Sequence, residues 1–323
     1  PADPGRIDRK NDRGTLVITA IRFHGVGISA SGSLLTGGAA AFPRNAVGFV
    51  HALERHLKRQ ALSLGKNRRV AIGVENYSLH KGEKNPATAK MALWKPWKGR
   101  SEMAPSVLDY ELKCDATITL IIDSDDLLDV EPLRAALKTV VPSLRFANGS
   151  IFVGERFSQV ISGSDGETLS RAIKAVRASR AQFMISRDKL VTKGREFDSF
   201  ADGLALFDDT PTSDDSAEEG AAEATEDAGD TEDAKLARKW HRQQAGWVVP
   251  LERGYQAVTP PLSGRAAARD PHIPSVVATP VLGLGEFITA RRLMRNLELN
   301  AFWHPFSDRA AGLYLFNASS FNS

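Results

Sequence analysis

The chain has 323 residues, 42% of them hydrophobic, and carries 42 Lys and Arg residues against 39 Asp and Glu residues. This apolar fraction supports a packed core, and the lack of a run of about 18 apolar residues argues against a membrane-spanning helix. The single cysteine excludes an intrachain disulfide and a multi-cysteine zinc site. Since the first fourteen residues have no apolar signal-peptide core, we expect a cytoplasmic protein without membrane contact.

The formal net charge of +3 hides an uneven distribution of charge. Twelve acidic residues, with no lysine or arginine between them, lie between Asp208 and Asp233. Without these twelve, 27 acidic residues remain against 42 basic ones, a net charge of +15. Residues 208–239 are therefore predicted to be a disordered acidic linker. The basic remainder suits a polyanion such as nucleic acid, although a basic protein can also be merely soluble.

The first predicted element is a strand over Thr15 to Gly25, which follows a flexible N-terminus of residues 1–14. Its β-branched residues favour extended structure. Two polar side chains, Arg22 and His24, come at the end of this strand. His24 is a candidate general base, and the alternative is a histidine that is hydrogen-bonded or stacked on RNA.

A helix is predicted after Pro43, with Asn45 as its cap. Apolar residues recur every three or four positions and define one buried face: Val47, Val50, Leu53 and Leu57. Three basic residues fall largely off that face: Arg55, Lys58 and Arg59. With His51, one turn before Arg55, they belong to the same candidate surface. They form either a track for a phosphate backbone or an ordinary solvated face.

Gly48 is unexpected in the first turns of this helix, because glycine costs a helix roughly 1 kcal/mol relative to alanine. One interpretation is that it allows close approach of an RNA backbone or of a neighbouring strand at the helix N-terminus. The other is that it only relieves packing against the first strand.

Further strands are predicted over Arg69 to His80, Asp115 to Asp123 and Gly149 to Phe157, with a helix over residues 130–140. The order strand–helix–strand–strand–helix–strand is the ferredoxin-like arrangement, which RNA-recognition modules also use. We therefore predict an α+β fold with a ferredoxin-like, RNA-recognition-motif core over residues 15–207.

An insertion, residues 81–106, interrupts this core. It combines aromatic and cationic side chains, as base stacking and phosphate contact require: Trp94, Lys95, Trp97, Lys98 and Arg100. A mobile loop packed on a partner protein would have the same composition.

The dipeptide Asn148-Gly149 predicts a tight turn. Arg145 and Arg156 flank it. They either share one basic surface or each pair with an acidic neighbour.

Residues 240–323 are predicted to form a C-terminal α/β portion packed on the core. It contains a strand pair over 246–258, the glycine-rich stretch "GLGEF", a helix over 288–300 and a final strand over 312–317. Gly283 and Gly285 are either a phosphate-binding loop, with Arg291 and Arg292 opening the next helix, or a turn that needs positive φ. The stretch lacks the lysine of a P-loop and the spacing of a dinucleotide fingerprint.

No catalytic, metal or cofactor motif is evident, since no pair of the seven histidines has the H-E-x-x-H spacing. Five separated blocks, in this order, resemble a known family: "NAVGFVHALERHL", "ANGSIFVGERF", "AGWVVPLERGYQAVTP", "VLGLGEF" and "FWHPFSDRAAGLYLFN". The family is that of the Csy-type, Cas-five-like subunits (the second Csy protein) of type I-F CRISPR surveillance, or Cascade, complexes.

The resemblance implies a non-catalytic subunit without a cofactor. Such a subunit has an RNA-recognition-like core and grips the repeat-derived 5′ handle of the CRISPR guide RNA. It pairs with the large subunit, adjoins the first backbone subunit of the filament and meets target DNA indirectly. Residues 81–106 would supply a thumb over the guide, and "GLGEF" the C-terminal loop of the superfamily. Two alternatives stay open: a repeat endoribonuclease with His24 or His51 as base, and a backbone subunit that polymerises along the guide.

Overall fold

The computed structural model of the chain describes residues 16–29, 43–80, 113–125, 130–163, 166–187, 190–192, 195–197, 247–264 and 272–322. Four helices lie in these ranges: α1 (Pro43–Lys58), α2 (Val130–Ser143), α3 (Gly166–Ala175) and α4 (Ala290–Arg295). The strands are β1 (Leu16–Ser29), β2 (Lys66–Leu79), β3 (Lys113–Asp125), β4 (Arg145–Phe146), β5 (Gly149–Phe152), β6 (Ser158–Ser162), β7 (Gln182–Ser186), β8 (Leu190–Thr192), β9 (Arg195–Phe197), β10 (Trp247–Ala257), β11 (Ala278–Thr289), β12 (Phe302–Asp308) and β13 (Leu313–Ser319).

The chain divides into two units, residues 1–187 with 247–323, and residues 188–246. In the second unit the described residues form a hairpin of β8 and β9. In the first unit eleven strands form one sheet of antiparallel pairs, in the order β12-β13-β10-β11-β7-β2-β3-β1-β5-β4, with β6 also paired to β1. The long apolar strands β1, β2 and β3 lie side by side and are its best-paired part.

Six strands of this sheet close into a ring. β2 pairs with β7, β7 with β11, β11 with β10, β10 with β13 and β13 with β12. The ring closes where Trp303 of β12 pairs with Val70 of β2. Trp303 is fully buried and donates a hydrogen bond from Nε1 to the carbonyl of Met184, at 3.2 Å. Its indole thus connects two strands of the ring through a satisfied buried donor.

Each face of the long strands is covered by helices. Helices α1 and α2 cover one face, where Phe23 of β1 packs against Phe49 and Phe146 at ring centroid distances of 5.6 and 5.3 Å. Helices α3 and α4 cover part of the other face, in a second apolar cluster that includes Ile18 and Ala20 of β1. Because successive side chains of a strand point to opposite faces, β1 contributes to both clusters.

A buried ion pair joins β2 and β3 to the C-terminal residues. Arg69 binds Asp123 through Nε, 3.0 Å from Oδ2, and both side chains are buried. The same guanidinium donates to Ser319 Oγ and to the carbonyl of Ser320, each at 2.8 Å. Its planar fork supplies enough donors to satisfy these groups together.

The predicted compact ferredoxin-like core, RNA-recognition-motif in type, with a C-terminal α/β extension is wrong. The molecule is dominated by an eleven-stranded, antiparallel sheet. The four predicted strands occur, but β2 does not end the sheet: it also pairs with β7 and β12. The strands after residue 247 therefore continue the same sheet, because an unpaired edge of β2 would leave backbone groups without partners.

Near the C-terminus one local prediction needs correction and one strand was missed. The predicted strand pair over 246–258 is the single strand β10, whose register against β11 shifts between Glu252 and Gly254. Gly254 has a φ of 147° and lies against the carbonyl of Tyr314 in β13, so no side chain fits there. Strand β12 was not predicted at all. Among the described helices, none is long and apolar enough to cross a membrane.

Candidate nucleic-acid interface

The outer end of β1 carries polar side chains on a part of the sheet that no described helix covers. Ile18 and Ala20 lie under α3 and α4, whereas Arg22 and His24 follow on the same face, beyond this cover. His24 is exposed and pairs with Thr117 of β3 on one side and with Phe152 of β5 on the other. Residues directly opposite on antiparallel strands share a face, so Phe152 lies beside His24.

We call Arg22, His24, Ser150 and Phe152 the open sheet face. Ser150 and Phe152 are exposed in β5, whereas the intervening Ile151 is buried in the core shared with α1 and α2. The ring of Phe152 is 59% exposed. An aromatic ring and an imidazole thus lie side by side and exposed on one strand pair.

Carboxylates near this face are already bound. Glu75 of β2 accepts a hydrogen bond from Arg22 Nε at 2.7 Å. Asp115 of β3 accepts 2.8 Å bonds from the backbone N–H of Gly27 and from His80 Nε2. These contacts, first the Gly27 N–H and then His80, hold the pKa of Asp115 below its usual value.

A β-bulge creates the Asp115 contact. The register of β1 against β3 shifts between Gly25 and Ile28, and Gly27 has a φ of 62°. This left-handed conformation suits glycine and turns the Gly27 N–H toward the carboxylate.

The turn between β4 and β5 brings the second predicted motif to the same place. Asn148 occupies it with a φ of 65°. Arg145 is exposed and pairs with Ser150, which places it on the side of Phe152. Arg156 is exposed in the loop that follows β5. Neither arginine has an acidic partner among the described residues, which favours the shared basic surface over the ion-paired alternative.

Helix α1 carries a separate exposed surface, which we call the α1 stripe: Gly48, His51, Arg55 and Lys58, with Arg59 just past the helix. Among the described residues, apart from Gly48's chain neighbours and the nearby backbone of α1, no atom lies within 4 Å of the position that a Gly48 Cβ would occupy. The hypothesis that Gly48 relieves packing against β1 is therefore wrong. Asn45 is not the cap either, since α1 begins at Pro43 and Asn45 lies half-buried in its first turn.

The sheet separates these two surfaces. Phe49 of α1 packs on Phe23, which points to the opposite face from Arg22 and His24. His24 and His51 therefore lie on opposite sides of the sheet and cannot act together on one phosphate.

The "GLGEF" stretch is not a loop. Its residues lie inside β11, paired with β10 on one side and, from Gly285 onward, with β7 on the other, and neither Gly283 nor Gly285 has positive φ. Both the phosphate-loop and the turn interpretations of these glycines are wrong. A Cβ at Gly283 would lie 2.5 Å from Arg253 Cδ, and one at Gly285 would lie 2.5 Å from Met184 Sδ. The glycines make room for side chains of neighbouring strands.

The arginines near this stretch serve a buried carboxylate. Glu286 is 1% exposed and accepts hydrogen bonds of 2.6 Å from Arg187 Nε and from Arg292 Nη1. Arg291 is exposed. In the sheet order β7, β2 and β3 lie between β11 and β1, so this segment does not join the open sheet face.

The predicted aromatic and cationic insertion lies outside the described residues: Trp94, Lys95, Trp97, Lys98 and Arg100. The same holds for the N-terminal residues 1–14 and the acidic segment 208–239. Among the described residues no group of three or more His, Cys, Asp or Glu side chains is placed to hold a metal ion.

Comparison with known proteins identifies the family. The CRISPR-associated protein family Cas_Csy2 matches residues 16–316. The chain belongs to this family. It is also 24% identical, over 303 residues, to the CRISPR-associated protein Csy2 of Pseudomonas aeruginosa (strain UCBPP-PA14), with 85% of this chain and 86% of that protein aligned. The predicted resemblance to the second Csy protein of type I-F systems is confirmed, and this places the chain among the subunits of a multi-subunit CRISPR complex.

One residue of this Csy2-family chain escaped the sequence-based prediction. Phe152 is predicted only as part of a strand, although its neighbours already contain the signal. In "GSIF" every second residue faces the core. If Ile151 points into the core, the next residue, Phe152, must therefore point to the solvent.

Proposed function

We propose that this chain is a guide-RNA-binding, non-catalytic subunit of a type I-F CRISPR surveillance complex. It would bind and cap the 5′ handle of the guide, pair with the large subunit and adjoin the first backbone subunit. The observation that carries the proposal is the open sheet face with the exposed Arg145 beside it: in a member of the Csy2 family, two distant segments bring an exposed aromatic ring, a histidine and an arginine together. Exposed rings interleaved with cations bind single strands, since bases stack and phosphates are neutralised.

The α1 stripe supports the same role from the other side of the sheet. Arg55 and Arg59 are exposed and have no acidic partner among the described residues. Lys58 lies 3.5 Å from Glu54, which is buried and also accepts a 2.8 Å bond from the Leu64 N–H. A guide that bends around the sheet edge, or a second nucleic-acid segment, would meet this stripe.

One observation favours a competing function, the repeat endoribonuclease. His24 and His80 both interact electrostatically with Asp115, and paired imidazoles are the groups that metal-free RNA cleavage uses. However, both imidazoles already have partners within the protein. His80 Nε2 is bound to that carboxylate, and His24 Nδ1 lies 3.4 Å from Thr117 Oγ1. Metal-free cleavage of repeat RNA by the purified chain, abolished by His24→Ala, would support the nuclease and contradict the proposal.

The decisive experiment is purification of the chain from cells that express the whole operon. Native mass spectrometry counts the subunits, and sequencing identifies the bound RNA. We expect one copy beside a large subunit, on RNA that begins with a short repeat-derived 5′ handle. Several copies per guide would indicate a backbone subunit instead, and recovery alone with cleaved repeat RNA would indicate the nuclease.

A further inference from the structure

Phe152 is the one strongly exposed aromatic side chain on the open sheet face. Its partner across the strands is His24, and the side chain of Ser150 precedes it on the same face. The ring exposes 59% of its surface, although the core begins one residue away at Ile151. The strand thus holds the ring in the solvent at a fixed place.

We propose that Phe152 and His24 form a stacking site for one base of single-stranded RNA. Arg145 and Arg156 would contact the phosphates on either side of that base. This inference rests on the proposed RNA-binding function and specifies where a base is held. Aromatic and imidazole faces stack on unpaired bases of any sequence, because every base has a π-face.

Core packing positions the residues of the site. Ile151 anchors β5 in the core, and a Cβ at Gly149 would lie 2.5 Å from Ile28 Cγ2, so β5 packs closely against β1. His24 is further positioned by Thr117, at 3.4 Å. Binding a base therefore requires little ordering of the protein, which favours affinity.

The chemistry around Phe152 favours a nucleic acid over a protein partner. Its exposed neighbours on this face, His24 and Ser150, are polar, Val26 is half-buried, and the nearby carboxylates Glu75 and Asp115 are bound within the protein. The exposed apolar residues beyond β10 and before β11 show the opposite character. They are neighbours of one another and include no charged residue: Val258, Leu262, Ile273, Val276 and Val277. Protein interfaces resemble that second kind of surface.

The test uses the full chain and a short single-stranded RNA with the sequence of the guide's 5′ end. Single bases are replaced in turn by 2-aminopurine, whose fluorescence is quenched on stacking. Phe152→Ala and Phe152→Leu should each weaken binding about tenfold and abolish quenching at one base position, whereas Phe152→Tyr should keep both. The leucine variant retains an apolar surface and removes only the π-face. Ile273→Ala, which truncates a side chain of similar exposure outside the site, should change neither quantity.

Other outcomes overturn the inference. If Phe152→Leu and Phe152→Ala bind RNA like the wild type while Arg55→Gln with Arg59→Gln binds weakly, RNA binding stands and the stacking site does not. If the alanine variant binds RNA normally but no longer assembles with the other subunits, Phe152 contacts protein instead. If the wild-type chain binds no RNA, the proposed function itself fails. Thermal unfolding of each variant verifies folding, which an exposed ring should leave unchanged.

Discussion

The α1 stripe and the β11–α4 segment look alike in sequence, since each has glycine followed by clustered basic residues. The structure uses them differently. In the stripe Arg55 is exposed to solvent, whereas beside β11 Arg187 and Arg292 converge on the buried Glu286. Arg187 and Arg292 are therefore less available to a polyanion than Arg55, because the buried Glu286 already binds them.

The carboxylate near each arginine group explains the difference. Glu54 of α1 is also buried, but the Leu64 N–H and the Ser63 hydroxyl satisfy it, at 2.8 and 3.0 Å. Arg68 and Lys58 add charge at 3.4 and 3.5 Å. Glu286, in contrast, is bound by the guanidinium groups of Arg187 and Arg292. An ionised carboxylate without such partners is strongly destabilising, so these arginines are needed for folding.

The largest expected effect comes from removing both partners of Glu286. Arg187→Met with Arg292→Met should lower the free energy of unfolding by about 3–5 kcal/mol, because it leaves a buried charge unpaired. Chemical denaturation measures this decrease. The neighbouring Arg291→Met should change stability by less than about 0.5 kcal/mol. If the double variant kept its stability and bound RNA more weakly, Arg187 and Arg292 would contact RNA. The proposed difference between this segment and the α1 stripe would then be wrong.

For the α1 stripe we expect substitutions to lower RNA affinity and to leave stability unchanged. Arg55→Gln with Arg59→Gln should weaken RNA binding and reduce the salt dependence of log K by about 0.7 for each phosphate that the protein no longer neutralises. Stability should stay within about 0.5 kcal/mol of the wild type, since both side chains are exposed. A salt titration of affinity provides the measurement, and Arg180→Gln, an exposed arginine after α3, is the matched control. Equal salt slopes for all three proteins would exclude the stripe from the interface.

Gly48 sharpens the comparison within the stripe itself. Since no described residue outside α1 approaches its Cβ position, Gly48→Leu should raise stability by about 0.5–1 kcal/mol through helix propensity. It should nevertheless weaken guide binding if RNA passes close to the backbone there. Gly48→Ala should gain similar stability with a smaller decrease in affinity. A lower melting temperature for the leucine variant would contradict the structural account.

Replacing Asp115, on the sheet face opposite α1, should give the smallest change in stability. Its lowered pKa means that its bonds stabilise the fold above the usual value of 3.8 and are lost as the pH falls through the folded-state value. Asp115→Asn should therefore melt slightly earlier at neutral pH, and the difference should disappear as the pH falls below the usual value of 3.8 and through the lowered pKa of Asp115. Melting curves across that range measure it. A difference that does not depend on pH would contradict the assigned cause.

The sequence predicts elements better than their assembly. The predictions for strand β3 and helix α2 agree with the structure to within a few residues, because an apolar run and a helical period are local signals. β12 is missed since Pro305 interrupts its pattern, and the prediction for "GLGEF" is wrong since glycine permits a turn without requiring one.

The candidate site is predicted only in pieces. Arg22 with His24 and Arg145 with Arg156 are each identified, but their meeting depends on the pairing of β1 with β5. Local sequence carries no such register. The burial of Glu286, which binds two arginines, depends likewise on contacts between distant strands.

The ring closure has a consequence for biosynthesis. β2 is translated early, yet it meets Trp303 and the carbonyls bound by Arg69 only after the last strands have emerged from the ribosome. Closing so long a loop is entropically costly and slow. Until then the nascent chain exposes an apolar strand edge, the kind of surface that chaperones shield. Yield in cells should thus depend on how quickly the final strands arrive.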